Sequence, residues 1–245
     1  MEGYAREPMM LDLTGQLIKV GEINTYCLIG GQGLPLVLLH GASTTAEEAW
    51  AHNLNTLSQH YRVYAPDLVG HGKSDRPGAD YSLPFFTAFF ESFVAALGMD
   101  KFSLVGHSLG GGIALAYTLD HPDKVNKLVL IDGAGIDAHT TWFGRLLMSL
   151  FTIKARLKKD ETYLSVVQNG DVDPQTFTDR LSEIKSPTLI VWGKRDGYLP
   201  VRQAYKAHRL IRSSRLHIFE DAWHAPHKEH PKEFNRLLLD FLQLG

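Results

Sequence analysis

Phe102-Ser103-Leu104-Val105-Gly106-His107-Ser108-Leu109-Gly110-Gly111-Gly112 is the stretch on which the fold turns. A short apolar run leads into G-x-S-x-G, and residues Leu109 to Leu119 continue with a helix-like pattern. The bare five-residue pattern is only suggestive, but its position between a strand and a helix gives it weight. A serine on so sharp a turn is held in a strained backbone conformation with its hydroxyl projecting outward. Side chains two residues to either side would collide, and Gly106 and Gly110 remove them. The amide of Leu109, at the start of the helix, can donate to an oxyanion. Gly111 and Gly112 are expected to let that helix approach the sheet closely.

Working outward, Leu34 to His40, Arg62 to Asp67, Lys127 to Asp132 and Pro187 to Trp192 are further short, nearly continuous apolar runs. Such runs read as strands buried on both faces of a parallel sheet. Gln16 to Val20 and Asn24 to Ile29 read as two strands joined around Gly21. Helix-like stretches separate them: Ala46 to Gln59, Leu83 to Leu97, Val201 to Arg212 and Lys232 to Leu242. Phe85, Phe86, Phe89, Phe90 and Phe93 recur at helical spacing and fit a helix face packed on the sheet. The alternation predicts an α/β fold with a mostly parallel, doubly wound sheet covered by helices. Residues 136–186 break the rhythm, with helix-like pieces and no convincing strand. A structureless loop of that length is unexpected in a compact domain. The expected organisation is a core of residues 1–135 and 187–245 with a helical lid inserted at 136–186.

The 245 residues suffice for one large core, and a formal net charge of −2 gives no field for steering toward nucleic acid or an anionic bilayer. The single cysteine, Cys27, lies in an apolar stretch and reads as a buried thiol. The opening MEGYAREPMM lacks an apolar signal core, and nowhere do some 18 apolar residues run together. A cytoplasmic enzyme without a membrane span, monomeric or homodimeric, is the expectation.

On these motifs the chain resembles the α/β-hydrolase family over nearly its whole length outside residues 136–186. His40-Gly41 resembles the family's oxyanion-loop motif, which implies that the backbone amide of Ala42 is the second oxyanion donor beside Leu109. Asp67-Leu68-Val69-Gly70-His71-Gly72-Lys73-Ser74-Asp75 resembles a loop whose role in the family is mainly structural. The family's order of Ser, acid, His implies Ser108 as nucleophile, Asp196 in the turn after Pro187 to Trp192 as acid, and His224 in the loop after Arg215 to Phe219 as base. Asp132 is the rival acid, since some members draw it from that strand, although an aspartate before glycine also commonly braces a turn. The family usually has glycine before its histidine, whereas Trp223 stands here. Its side chain either walls the substrate pocket or packs beneath the loop. His224, His227 and His230 could suggest a metal cluster, but Pro226 interrupts any helix and no partner ligands surround them, so neither metal nor cofactor is expected.

Trp142, Phe143 and Leu146, continued by Leu147, Leu150 and Phe151, are spaced as one apolar helical face. They could roof a substrate pocket or merely pack the lid. A carboxylesterase for small to medium esters is the leading expectation, because a serine triad with a small apolar lid does that chemistry unaided. A second reading is hydrolysis of a carbon-carbon bond in diketone-type ring-cleavage products. Leu216-His217-Ile218-Phe219 and Glu233-Phe234-Asn235-Arg236 through Asp240-Phe241-Leu242 resemble that subfamily. Its glycine-rich stretch after His-Gly is replaced here by Ala42-Ser43-Thr44-Thr45, and the lid is shorter. A third reading, from another class, is a non-catalytic receptor on a hydrolase scaffold.

Overall fold

Along each central strand successive side chains face opposite sides of the sheet, and both sides are covered. Val37 and Leu39, Leu104, Leu128 and Leu130, and Ile190 and Trp192 join one buried cluster. Their neighbours Leu36 and Leu38, Val105, Val129 and Ile131, and Leu189 and Val191 join a second. The continuous apolar runs are therefore two interleaved period-2 patterns.

The computed structural model describes residues 13–137, 149, 152–153, 155–157, 160–172 and 176–243. The strands are β1 (Thr14–Val20), β2 (Ile23–Gly30), β3 (Pro35–Leu39), β4 (Arg62–Pro66), β5 (Phe102–His107), β6 (Val125–Ile131), β7 (Thr188–Gly193) and β8 (Ser214–Phe219). They form one sheet in the order β1-β2-β4-β3-β5-β6-β7-β8. Pairing is antiparallel for β1 with β2 and β2 with β4, and parallel from β4 across to β8.

Helices α3 (Leu83–Ala96) and α4 (Leu109–Asp120) cover one face. The Ser82 hydroxyl caps α3 by accepting the Phe85 N–H, with proline in its first turn. Phe86, Phe90 and Phe93 are buried, and Phe85 and Phe89 flank them. On the same face lies α6 (Arg202–Leu210), and α7 (Pro231–Gln243) packs on the other. Cys27 is buried in β2, and burial pushes its thiol pKa up.

One expectation is corrected. Residues 46–59 form two short helices, α1 (Ala46–Trp50) and α2 (Leu54–Ser58). The buried Asn53 between them donates to the His227 carbonyl and to Asn235 Oδ1, at 3.2 and 2.7 Å. Those bonds tie the break to the opposite end of the chain.

β6 and β7 are neighbours, although residues 132–187 separate them. Between them the described residues include α5 (Glu161–Val172) and a 3-10 helix at Thr178–Glu183. Ile136, Leu181 and Ile184 reach into the core beneath. No helix among the described residues is long and apolar enough to cross a membrane.

Candidate active site

The chain runs from β3 to β4 on one side and then places β5 on the other side of β3. Ligands of open α/β sheets bind at such a reversal, outside the carboxyl ends of the strands. Gly41 and Ala42 leave β3 here and Ser108 leaves β5. A Cβ added to Gly41 would lie 3.1 Å from Ser108 Cβ, so the Ala42 loop borders the serine directly.

Ser108 has φ 52° and ψ −115°, a left-handed conformation unusual for a residue with a side chain. Its N–H donates to Ile131 O, and its carbonyl accepts from Gly112 and Ala134. A Cβ at Gly106 would lie 2.2 Å from Gly110 O, and one at Gly110 would lie 2.4 Å from Leu39 O. Glycine is thus required at both positions by backbone against backbone. Gly111 allows a further close approach, 2.7 Å to Gly133 Cα, whereas a Cβ at Gly112 would find only ordinary contacts. The expected role of Gly112 is therefore not seen. The first-turn amides of α4, beginning with Leu109, have no intrahelical acceptor.

His224 Nε2 lies 3.0 Å from Ser108 Oγ, and His224 Nδ1 lies 2.7 Å from Asp196 Oδ2. Asp196 Oδ1 accepts from the Tyr198 and Leu199 amides at 2.7 and 3.0 Å. Serine, histidine and aspartate from three separate loops thus form one hydrogen-bonded chain. The Asp196 side chain is fully buried, while His224 remains partly exposed. Asp132 also ends its strand at the site, but its Oδ1 accepts from Gly193 N at 2.9 Å rather than from the histidine. It braces the end of β7, and burial beside Asp196 pushes its carboxyl well above the usual range.

His107 is buried behind the chain. Its Nε2 donates to the His224 carbonyl at 2.7 Å, and burial pulls its pKa down to about 3. His40 is likewise held near 3, its Nδ1–H donating to Gly41 O and its Nε2 accepting from Leu68 N. Neither role follows from spacing, because a histidine inside an apolar run carries no signal of its partner. Asp67 Oδ1 and Oδ2 accept from the Ala46 and Lys73 amides, and the Ser74 hydroxyl donates to Asp67 O. The Asp67–Asp75 loop is therefore a hydrogen-bonded turn that fastens the start of α1.

The three C-terminal histidines diverge. His224 faces Ser108, His227 is buried against Trp50 and His107, and His230 pairs with Asp221. Ligand-type atoms of Asp132, Asp196 and His224 lie within 4.8 Å of one another. Both ring nitrogens of His224 are already committed, so this grouping is the hydrogen-bonded chain and its neighbour rather than a built metal site.

Trp223 is 51% exposed, so its side chain does not pack beneath the loop. Trp142, Phe143 and Leu146 lie outside the described residues. A cavity of about 760 Å³ opens beside Ser43 and Thr44, walled by Gly70 to Gly72, Arg76 to Ala79 and Asp160 to Thr162. Its charged lining sets Arg76 against Glu48, Asp160 and Glu161.

Residues 35–155 match the model of the alpha/beta hydrolase fold. The chain is 31% identical to 2-hydroxy-6-oxo-2,4-heptadienoate hydrolase of Pseudomonas putida, with 93% of this chain and 96% of that one covered. It is 33% identical to 2-hydroxy-6-oxononadienedioate/2-hydroxy-6-oxononatrienedioate hydrolase of Escherichia coli, over 86% of this chain and 88% of the relative. A solved serine hydrolase involved in carbazole degradation superposes with a TM-score of 0.82 at 28% identity, over 95% of this chain and 99% of that one. Elbow, sheet order and relatives agree: the chain is a hydrolase and belongs to the α/β-hydrolase family.

Proposed function

We propose that the protein hydrolyses a carbon-carbon bond in a 2-hydroxy-6-oxo-dienoate of the kind formed by ring cleavage, with Ser108, His224 and Asp196 as the catalytic residues. The similarity to the Pseudomonas putida dienoate hydrolase across nearly both chains carries this reading over the simple esterase. The Leu216–Phe219 and Glu233–Leu242 segments point the same way.

Transfer of the 2-hydroxyl proton to C5 first gives the 2-oxo tautomer. Ser108 Oγ then attacks the C6 ketone while His224 Nε2 takes its proton, and Asp196 stabilises the imidazolium. The Leu109 and Ala42 amides receive the oxyanion. The C5–C6 bond breaks, its electron pair passes through the conjugated chain to the C2 oxygen, and His224 returns the proton there to give the dienol. Water, deprotonated by His224, attacks the acyl group on Ser108. The acid leaves and Ser108 regains its proton. The inserted segment 136–186 acts as the lid, and the exposed Trp223 walls the acyl side.

Cleavage of neutral carboxylic esters is the second reading, favoured by the acidic balance of the cavity beside Ser43 and by Ser43-Thr44-Thr45 in the oxyanion loop. Parallel assays on 2-hydroxy-6-oxohepta-2,4-dienoate and a series of p-nitrophenyl esters separate the two. The dienoate is expected to give a kcat/KM at least tenfold above the best ester. Ester turnover with no loss of the dienoate chromophore would replace the first reading by the second.

A further inference from the structure

The structure holds two buried carboxyl groups side by side where a triad needs one. A carboxylate oxygen of Asp132 and one of Asp196 lie within 4.8 Å of each other and of a His224 ring nitrogen. Both residues are buried, Asp132 completely. They are not equally served by donors. Asp196 receives two backbone amides on Oδ1 and His224 on Oδ2. Asp132 receives one amide, Gly193 N–H on Oδ1, and its Oδ2 finds no donor among the described residues. Two carboxylates this close in a dry site cannot both ionise. The proton stays on the group with fewer donors, and a protonated carboxyl can donate.

We propose that Asp132 is a positioning residue that stays protonated at neutral pH and donates a hydrogen bond to the Asp196 carboxylate, so that the pair carries one negative charge aimed at His224 Nδ1. The bond fills a side of Asp196 that the Tyr198 and Leu199 amides leave open. The backbone supports this placement. Asp132 has φ 42°, a left-handed value otherwise found on described non-glycine residues only at Ser43, Tyr81 and Ser108. Its N–H is anchored to Val191 O at 3.0 Å. Strain of this kind persists where the surroundings over-determine it, and here it turns the carboxyl of β6 toward the loop of β7. The carboxyl pair and the sign of its field agree: desolvation, then the Asp196 charge, hold Asp132 in its neutral form, with Glu229 acting in the same direction. The other titratable groups around the pair are His224, His107 and Tyr198.

The inference rests on the triad reading, so its test includes a measurement independent of turnover. Infrared difference spectra of the folded protein at pH 7.5 should show the C=O stretch of a buried protonated carboxyl that Asp132→Asn removes. In kinetics, Asp132→Asn supplies an amide oxygen for Gly193 N–H and an N–H for Asp196, and so should rescue the kcat that Asp132→Ala loses. The acid limb of kcat/KM should stay in place in Asp132→Asn, because a neutral group replaces a neutral group. It should move to higher pH in Asp132→Ala, because an Asp196 deprived of a donor holds the imidazolium more strongly. If Asp132 were ionised, Asp132→Asn would delete a charge about 5 Å from the imidazole and move the limb down by about two pH units. That shift, or the absence of the infrared band from the parent, overturns the proposal. Should Asp132→Ala fail to fold, the Asp132→Asn spectrum and profile still decide. Loss of the triad reading itself would leave the infrared result standing.

Discussion

Acidification should destabilise this protein well above the pH at which its carboxylates titrate, because buried neutral histidines surround the site. His40 and His107 have ordinary values of 6.5 and folded values of about 3. Protonated His40 would point Nε2–H at Leu68 N–H, and the second proton of His107 would enter on a buried Nδ1 that meets no acceptor among the described residues. Below pH 6.5 the unfolded chain therefore binds a proton on each ring that the folded chain refuses until about pH 3. Each ring's share of the stability is present above pH 6.5 and is lost as pH falls through that window, at about 1.4 kcal/mol per unit. At pH 5 the two rings together cost about 4 kcal/mol, a large part of the 5 to 15 kcal/mol usual for a domain. His71 and His227 are also pulled down by burial and add to the effect. Asp132 has the opposite sign. Its folded value is raised above 3.8, so its contribution is lost as pH rises, and on acidification it offsets part of the histidine effect. Urea unfolding at pH 7.5, 6 and 5 checks this. The midpoint should fall on acidification, and His107→Gln, which can still donate to the His224 carbonyl, should reduce the slope by one proton. A midpoint that is level or rising from pH 7.5 to 5 would refute the burial account of these rings.

Ser108→Ala should lower kcat by about 10⁴-fold or more while leaving the unfolding free energy within about 1 kcal/mol of the parent, and should abolish labelling by a fluorophosphonate. Activity within tenfold of the parent would sink the nucleophile assignment. Asp196→Asn should cost roughly 10³ to 10⁴ in kcat, far more than Asp132→Asn; the reverse order in folded variants would make Asp132 the triad acid. Gly110→Ala forces a Cβ to 2.4 Å from Leu39 O and should cost about 3 kcal/mol or more in stability, read as a drop in Tm, whereas Gly112→Ala should be mild.

The parts of this protein legible from sequence are those whose cause is local. Leu104 and Val105 belong to opposite faces of one strand, so the apolar run around them reads directly as a doubly covered sheet. The G-x-S-x-G turn is local as well, since the clash that excludes a side chain at Gly106 comes from Gly110 itself. Asn53 shows where this stops. Residues 46–59 have helical periodicity, and the break depends on partners 174 and 182 residues away. The sequence leaves Asp132 and Asp196 undecided for the same reason. Either of two strand ends could present the acid, and the choice depends on the amides of residues 198 and 199 meeting Asp196 while Gly193 meets Asp132. His107 carries no signal in the sequence because its partner is a backbone carbonyl in the His224 loop.

Three of the four left-handed non-glycine residues described, Ser43, Ser108 and Asp132, follow β3, β5 and β6, which are adjacent in the sheet. Each such conformation costs about 1 to 3 kcal/mol, and their concentration at one edge has a common physical reason. The strands arrive in parallel and buried, so a chain leaving the sheet there must turn sharply before its backbone polar groups are stranded. A sharp turn at the carboxyl end of a strand also throws the side chain forward into the crevice, where the reacting atom must lie. The same turns leave little room, which is why Gly41 borders Ser108 Cβ and why Gly193 passes so close to the Trp223 carbonyl. The His224 loop is then fixed from below by His107 and from the side by Glu229, whose carboxylate accepts from the Trp223 and Ala225 amides. Ser108 and Asp132 are thus presented by strained turns and His224 by a clamped loop, while Asp196 is held by the Tyr198 and Leu199 amides. On the proposed function, the segment joining β6 to β7 is where substitutions would change substrate choice most.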